Sequence, residues 1–486
     1  MKLNEYEWSR NPRGMHNALA TIPVNFDANF VMKMGWIKLN TFTTLYVKDI
    51  ERFFGAGMTP IVRVFEPKLG NKPPTAPMMT LYREYFDAGV RWFELYNEPN
   101  LVEEWEGRDR VDWRDTAGII GPMMEHWLNW AETILSWGGY PAFPALSETI
   151  LEQSAAVKWM EAMLSYLRDN VTRFDRFRAI ANSGLWVATH PYIFNHFYQE
   201  GSNPRTPRPP GLLNAFEPGW HFEYPYDPLS QASDPGRTVF GGTPKTPYGD
   251  PTGLIAMGIA FMTWYADWFG GGAVPVIGTE GGIFPVPRDG NFYQADTRYP
   301  PYDQFSHAEA TVAMFKWIAE VAPPWFFGVC LWKEDDYFSP SPANAVLRLQ
   351  NTPTSYKDVP PLETIIGPGI PNLRGWKGPG PIHGAPDFHF LVIGSGFPAE
   401  WFFERGRGYY ETFRPQIMPD FSYIANLDYR KSLGVTLLTL TNLADQLKAQ
   451  ITERYSGVWV DVVAVDNPEL LERTLTERAL RGLRFG

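Results

Sequence analysis

A single cysteine, Cys330, serves all 486 residues. Neither an internal disulfide framework nor a thiolate metal cluster can be built within one chain, and the redox compartment stays open. Long hydrophobic runs are missing too: Gly, Pro or a charge interrupts each apolar stretch short of the roughly twenty residues a bilayer requires, so no membrane partner is expected. The first residues, Met1-Lys2-Leu3-Asn4-Glu5-Tyr6-Glu7-Trp8, carry no apolar signal segment. The expected location is therefore the cytoplasm if the chain is complete, or outside the cell if a leader was removed. Basic residues are the minority, 43 Lys and Arg against 54 Asp and Glu for a net charge of -11. Affinity for nucleic acid comes mainly from Lys and Arg neutralising phosphates, so no nucleic acid is expected and a neutral or weakly charged partner fits better. The eight histidines show no H-E-x-x-H and no close pairing with a carboxylate at ligand spacing. No metal and no cofactor is expected, and the acidic Glu334-Asp335-Asp336 reads as solvated charge rather than a calcium loop. Oligomeric state is left unspecified.

What the chain has in quantity is aromatic side chains: 19 Trp, 23 Tyr and 33 Phe. Many stand beside Pro or Gly in segments that do not read as core, where exposed rings would stack on flat apolar faces such as the C–H faces of sugars. Part of the excess is expected inside.

Apolar strand-like runs alternate with helical patterns from residue 12 to about 336. The runs are Arg13–Asn17, Trp36–Leu39, Pro60–Phe65, Arg91–Tyr96, Tyr140–Leu146, Leu185–Thr189, Val274–Gly278 and Phe326–Leu331. Between them lie helical candidates at 46–55, 81–88, 121–137, 154–169, 253–269 and 306–320. Eight strands, each followed by a helix or an excursion, make the count that closes a (β/α)8 TIM barrel. The barrel is placed at residues 1–346, with a long insertion after the sixth strand at 193–252. Prolines there, as in Asn203-Pro204-Arg205-Thr206-Pro207-Arg208-Pro209-Pro210, exclude regular ladders. Its aromatics, Trp220 among them, predict an ordered wall beside the active face, and the loop 288–305 predicts the opposite wall. Residues 347–382 are rich in Pro and Gly and read as a linker or belt. A smaller α/β accessory domain is expected at 383–486, with strands at 388–393, 434–439 and 458–465. Gly394-Ser395-Gly396-Phe397-Pro398-Ala399 matches a dinucleotide pattern but is read as a tight turn, because no clean βαβ unit is expected to close around it.

In such a barrel the chemistry sits at the C-terminal strand ends. Tyr96-Asn97-Glu98-Pro99 ends the fourth run and Thr279-Glu280-Gly281-Gly282 ends the seventh; His190 and Tyr192 follow the sixth, and Trp332 the eighth. All five side chains therefore share one rim. Cleaving an acetal needs a proton donor for the departing oxygen and a nucleophile or base at the anomeric carbon, so two carboxyl groups suffice. A spacing of about 5 Å would give a covalent glycosyl-enzyme and retention, and about 6.5 to 9.5 Å inversion. Glu98, among aromatic neighbours and near a second carboxylate, is expected to hold its proton longer. Glu280 is expected to stay ionised, its two glycines letting backbone and sugar approach closely. Glu94, a carboxylate within a strand, is expected to have a basic partner.

The stretches Phe93-Glu94-Leu95-Tyr96-Asn97-Glu98-Pro99, Thr189-His190-Pro191-Tyr192, Pro275-Val276-Ile277-Gly278-Thr279-Glu280-Gly281-Gly282 and Cys330-Leu331-Trp332 resemble those of the clan A retaining glycoside hydrolases, the (β/α)8 superfamily that includes families 5 and 39. This resemblance covers about residues 12 to 336. It implies a β-glycosidic bond cleaved by double displacement, with Glu98 as acid/base and Glu280 as nucleophile. Asn97 would bind the 2-hydroxyl of the reacting sugar, His190 or Tyr192 would orient the nucleophile, and Trp332 would form a platform beneath the sugar. Family 5 cellulases carry an arginine at the end of strand two and a histidine at the end of strand three; here stand Lys38-Leu39-Asn40 and Phe65-Glu66-Pro67. Lys38 and Trp220 complete the expected substrate-binding set, and Arg63, inward-facing at a lower layer, is available as a guanidinium. Two aromatic walls predict several sugar subsites and endo action on a poly- or oligosaccharide. Transglycosylation, exo action and a non-catalytic glycan-binding barrel are the competing readings.

Overall fold

The computed structural model describes residues 1–17, 22–193, 222–226, 234–283, 304–337, 348–365, 388–418, 433–454 and 458–485. Eight parallel strands close a barrel: β1 (Arg13–His16), β2 (Trp36–Thr41), β3 (Thr59–Val64), β4 (Trp92–Glu94), β5 (Tyr140–Phe143), β6 (Trp186–Thr189), β7 (Val276–Gly278) and β8 (Phe326–Leu331). Neighbours follow chain order around the ring, and β8 pairs with β1 to shut it. These strands are buried on both faces, which is why they read as continuous apolar runs rather than alternating ones. β4 and β5 stop well before the ends of their apolar runs, for local reasons. Tyr82 donates its hydroxyl to the Glu94 carbonyl at 2.5 Å and takes the place of a ladder partner at the end of β4. Pro144, which has no N–H, follows the last residue of β5.

Helices pack outside: α1 (Phe26–Val31), α2 (Ile50–Gly55), α3 (Ala76–Asp87), α4 (Gly121–Trp137), α5 (Ala156–Arg168), α6 (Val171–Ser183), α7 (Ala256–Phe269) and α8 (Gln304–Glu320). Helix α4 carries Pro within its first turn and stops at Gly138, whose φ of 98° a side chain would resist. Helix α6 is absent from the sequence reading. Its four charges mask a buried stripe of Phe177, Ile180 and Ala181, and Asn170 caps it by accepting from the Arg173 N–H.

The N-terminal ends of the strands are closed by rings. Trp36, Trp92, Tyr140 and Trp186 each open a strand. Trp92 lies 5.1 Å from Trp36, 5.1 Å from Tyr140 and 5.4 Å from Trp186 between ring centroids. The N-terminal segment folds beneath them: Trp8 stacks on Trp36 and Phe327, and the Glu7 carbonyl accepts from the Trp92 indole at 2.9 Å. Much of the aromatic excess is thus core rather than sugar-facing surface. Residues 348–365, the described part of the expected linker, act as a belt on this end. Arg13 reaches across to the carbonyls of Leu349 and Pro353, and Leu3 and Thr364 exchange backbone bonds with Leu362 and Met1.

By internal contacts the chain divides into two compact units, Met1–Trp264 with Ala273–Ile365, and Tyr265–Gly272 with Ile366–Gly486. The second holds a four-stranded parallel sheet made of β9 (Phe388–Ile393), β10 (Gln416–Met418), β11 (Leu433–Thr439) and β12 (Trp459–Ala464), in the spatial order β10-β9-β11-β12. Helices cover both faces: α10 (Ala399–Arg405), α11 (Arg407–Phe413) and α13 (Pro468–Arg481) on one, α12 (Ala444–Arg454) on the other, after the four-residue α9 (Glu334–Tyr337) of the first unit. A βαβ unit therefore does close after the glycine-rich turn, contrary to the sequence reading, because Gly406 separates two short helices instead of preventing them. The segment is nonetheless a turn: Phe397 donates its N–H to the Gly394 carbonyl and buries its ring in the core.

Removing the central ring tests the closure at the strand starts. Trp92→Ala should cost about 3–5 kcal/mol through lost burial and a cavity, read as a lowered urea midpoint; an unshifted midpoint would refute the role of this cluster.

Candidate active site

Glu98 and Glu280 emerge at the same end of the barrel, four and seven strands along. Glu280 follows β7 in a run whose backbone is committed elsewhere: Thr279 N–H donates to the Thr189 carbonyl and Gly282 N–H to the Pro191 carbonyl. The two glycines serve this crossing. Gly281 has a φ of 139°, and a Cβ there would stand 2.3 Å from the Pro191 carbonyl oxygen. A two-residue parallel pairing of Tyr192–Ile193 with Gly282–Ile283 continues the contact.

Around the buried Glu280 carboxylate the barrel gathers polar groups from separate elements. Arg63 of β3 brings Nη1 to 3.2 Å from Oε1, and His16 of β1 brings Nε2 to 3.5 Å from the same oxygen. Tyr192 donates its hydroxyl to Oε2 at 3.2 Å, and His190 Nδ1 lies 3.8 Å from Oε2. Burial alone would raise the carboxyl, but His190, His16 and Arg63 outweigh it and hold Glu280 well below the usual carboxylate range. The Tyr192 hydroxyl is driven the other way, first by burial and then by the charges of Glu280 and Glu98, so it stays a phenol and a donor.

Glu98 belongs to a loop under strain. Its φ of 33° lies in the left-handed region, a conformation costing a non-glycine residue on the order of 1–3 kcal/mol and sustained only where the surroundings impose it. They do: the Trp105 indole donates to the Pro99 carbonyl at 2.8 Å, and the Asn100 amide donates to the carbonyls of Ser147 and Ser154 and accepts from the Ser147 N–H, each at 2.9 Å. Glu98 Oε1 then shares a 2.8 Å hydrogen bond with His190 Nδ1. One imidazole nitrogen thus touches both carboxyl groups. Spans of 2.8 and 3.8 Å laid end to end cap the distance from Glu98 Oε1 to Glu280 Oε2 at about 6.6 Å. Glu98 is the more open of the two, with 16% of its side chain exposed against 7% for Glu280.

Of the other expected residues, Asn97 joins the cluster through Arg63, which donates to its amide oxygen. Trp332 meets it through His16, their rings 4.4 Å apart edge to face. Lys38 is not presented to the pocket. It is fully buried, and its ammonium pairs with Glu94 across the barrel interior, which supplies the basic partner Glu94 needs. Trp220 lies outside the described residues, as do 194–221 and 227–233 of the expected wall at 193–252 and 288–303 of the other, while Phe222, Tyr224 and Tyr226 of the first are buried. Glu334 is not solvated as the sequence suggested: it is buried and accepts from the Asn29 amide at 2.5 Å and the Asn25 N–H at 3.2 Å.

Three residues escaped the sequence reading. His16 ends β1 on the same rim, a position that the strand-end rule alone would have flagged. Glu104 accepts from the Asn97 amide nitrogen at 2.7 Å from a 3-10 turn at Val102–Glu104. Glu148, beyond β5, is pushed well above the usual carboxylate range by burial and then by Asp250, with Glu98 adding to it. Among the described residues no cluster of His, Cys, Asp and Glu has the arrangement of a metal site, and no helix is long and apolar enough to cross a membrane.

The charge on Glu280 has a thermodynamic signature. Its folded value lies below the ordinary 4.5, so its ionisation stabilises the fold above that pH and the contribution is lost as pH falls through the folded value. Between those two pH values the wild type should lose stability on acidification more steeply than Glu280→Gln, measured as urea midpoints from pH 6 downward; parallel curves would refute the assignment.

No protein-family model matches the chain, and no curated protein sequence matches it. Solved structures similar to it in part include a β-glucosidase from Exiguobacterium marinum, at 10% identity over 67% of this chain and 89% of that one with a TM-score of 0.32. Others are the exo-β-1,4-mannosidase Op5Man5 from Opitutaceae bacterium strain TAV5, at 12% identity over 96% of this chain and 79% of that one with a TM-score of 0.30, and a sugar phosphate isomerase/epimerase from Parabacteroides distasonis, at 10% over 65% and 99% with a TM-score of 0.28. At these scores the likenesses assign no activity to this chain.

Proposed function

We propose that the protein is a retaining glycoside hydrolase that cleaves β-glycosidic bonds by double displacement. The observation that carries this reading is the meeting of Glu98 and Glu280 at one nitrogen of His190. The cap of about 6.6 Å, set between one oxygen of each group, accommodates the separation of roughly 5–5.5 Å used for retention.

In the first step the Glu280 carboxylate attacks the anomeric carbon as the bond to the leaving oxygen breaks, and Glu98 gives that oxygen its proton. In the second, Glu98 takes a proton from water, the water oxygen bonds to the anomeric carbon, and Glu280 departs as a carboxylate. The surroundings favour this division of roles. Arg63, His16 and Tyr192 keep Glu280 ionised and aimed. The greater exposure of Glu98 leaves it access to both leaving group and water. Trp332, partly exposed above His16, is offered as the face on which the sugar rests.

A panel of 4-nitrophenyl β-D-glucoside, mannoside, xyloside and galactoside with the matching β-linked oligo- and polysaccharides tests the reading. Product sizes separate endo from exo cleavage, and an added sugar acceptor reveals transglycosylation. Glu280→Ala should lose at least a thousandfold in rate, on the order expected for removing a nucleophile. A 2-deoxy-2-fluoro glycoside bearing a dinitrophenolate leaving group should leave its sugar covalently on Glu280 in the wild type. Full activity in Glu280→Ala, or a product of inverted configuration by NMR, would overturn the mechanism.

A further inference from the structure

Asn97 has two amide hydrogens and one carbonyl oxygen to place, and its neighbours decide how. Arg63 Nη1 donates to Oδ1, and a guanidinium can only donate. Glu104 Oε1 accepts from Nδ2 at 2.7 Å. With an obligate donor on one side and an acceptor on the other, the amide has one orientation. Its oxygen faces Arg63 and the nucleophile, and of the two N–H groups one is committed to Glu104 while the other is left for a ligand.

Glu104 meets Asn97 in a narrow slot. The slot it lines with Arg63, Phe65, Leu69, Tyr96 and Asn97 has a free volume of about 10 Å³, room for one water at most. Asn97 and Glu104 are both partly exposed. Burial raises the Glu104 carboxyl, the Asn97 bond and Arg63 oppose that, and the charges of Glu98 and Glu280 reinforce it. In either protonation state one carboxyl lone pair remains for Asn97.

We propose that Glu104 is a positioning residue of this site, holding the Asn97 amide so that an N–H, rather than the carbonyl, is presented to the hydroxyl at sugar carbon 2. The proposal rests on the glycosidase reading and on Asn97 as the ligand of that hydroxyl. It adds a four-membered line, Glu104 to Asn97 to Arg63 to Glu280, that ties the grip on the sugar to the grip on the nucleophile.

The test uses the 4-nitrophenyl glycoside that the wild type cleaves best and its 2-deoxy counterpart. Glu104→Ala should lower kcat/KM on the hydroxylated substrate about tenfold, and the ratio of kcat/KM between the two substrates should fall by the same factor. Glu104→Gln, which keeps an acceptor oxygen in the same volume, should recover most of that ratio. In an Asn97→Ala background, Glu104→Ala should have no further effect on the ratio. An unaltered ratio in Glu104→Ala, or an equal loss in the Asn97→Ala background, overturns the role of Glu104 while the hydrolase reading stands. A wild type that cleaves no member of the panel overturns both.

Discussion

A carboxylate buried at the mouth of a barrel is the constraint around which this protein is arranged. Taking a charge out of water costs several kcal/mol even after relaxation, and the cost is offset only when partners of fixed geometry surround it. Glu280 has such partners, drawn from β1, β3 and the segment after β6. No two of those elements are neighbours of each other in the ring. Closure of the sheet is therefore what makes the pairing available: an open sheet of the same strands would leave β1 and β7 far apart.

The loop that carries Glu98 meets the same requirement by different means. Glu280 is held by charge, whereas Glu98 is held by backbone. Its left-handed φ is imposed by Pro99 locked to the Trp105 indole and by Asn100 locked to the loop after β5. A relaxed loop would let Glu98 turn away from His190, so the strain at this residue is also what fixes the distance between the two carboxyl groups. His190 then couples the two arrangements, since any shift of its ring alters its contact with both acids.

How much of this was legible in the sequence depends on whether the cause was local. The eight strands were, because burial on both faces writes itself as continuous apolar residues. So was the shared rim of Glu98 and Glu280, because both stand just beyond such runs. The causes that escaped are tertiary. Gly281 is a glycine on account of the Pro191 carbonyl, ninety residues earlier, and nothing beside it in the chain says so. Glu104 gains its meaning from Asn97 across a 3-10 turn with no periodic signature. Helix α6 was hidden by its arginines, which neutralise the hydrophobic signal of Phe177 and Ile180 although the spacing was there to be read. The aromatic count misled in the opposite direction, since Trp36, Trp92 and Trp186 fill the barrel instead of lining it.

The two ends of the barrel carry opposite burdens. Toward the C-terminal ends its interior holds Lys38 against Glu94 and, above them, Arg63 and His16 against Glu280. Burial, and then the charge of Arg63, push Lys38 well below the usual lysine range. Such pairs are weak sources of stability, since well-packed apolar residues of equal volume often do as well or better. The N-terminal ends carry the rings of Trp36, Trp92, Tyr140 and Trp186, with Tyr6 and Trp8 sealing them below. Apolar area concentrated there is what lets the opposite mouth tolerate buried charge and the strained Glu98 loop within one cooperative fold. A substitution that loosens the aromatic end would on this account be felt at Glu98 and His190, because β4 and β6, which begin with Trp92 and Trp186, lead into those two residues.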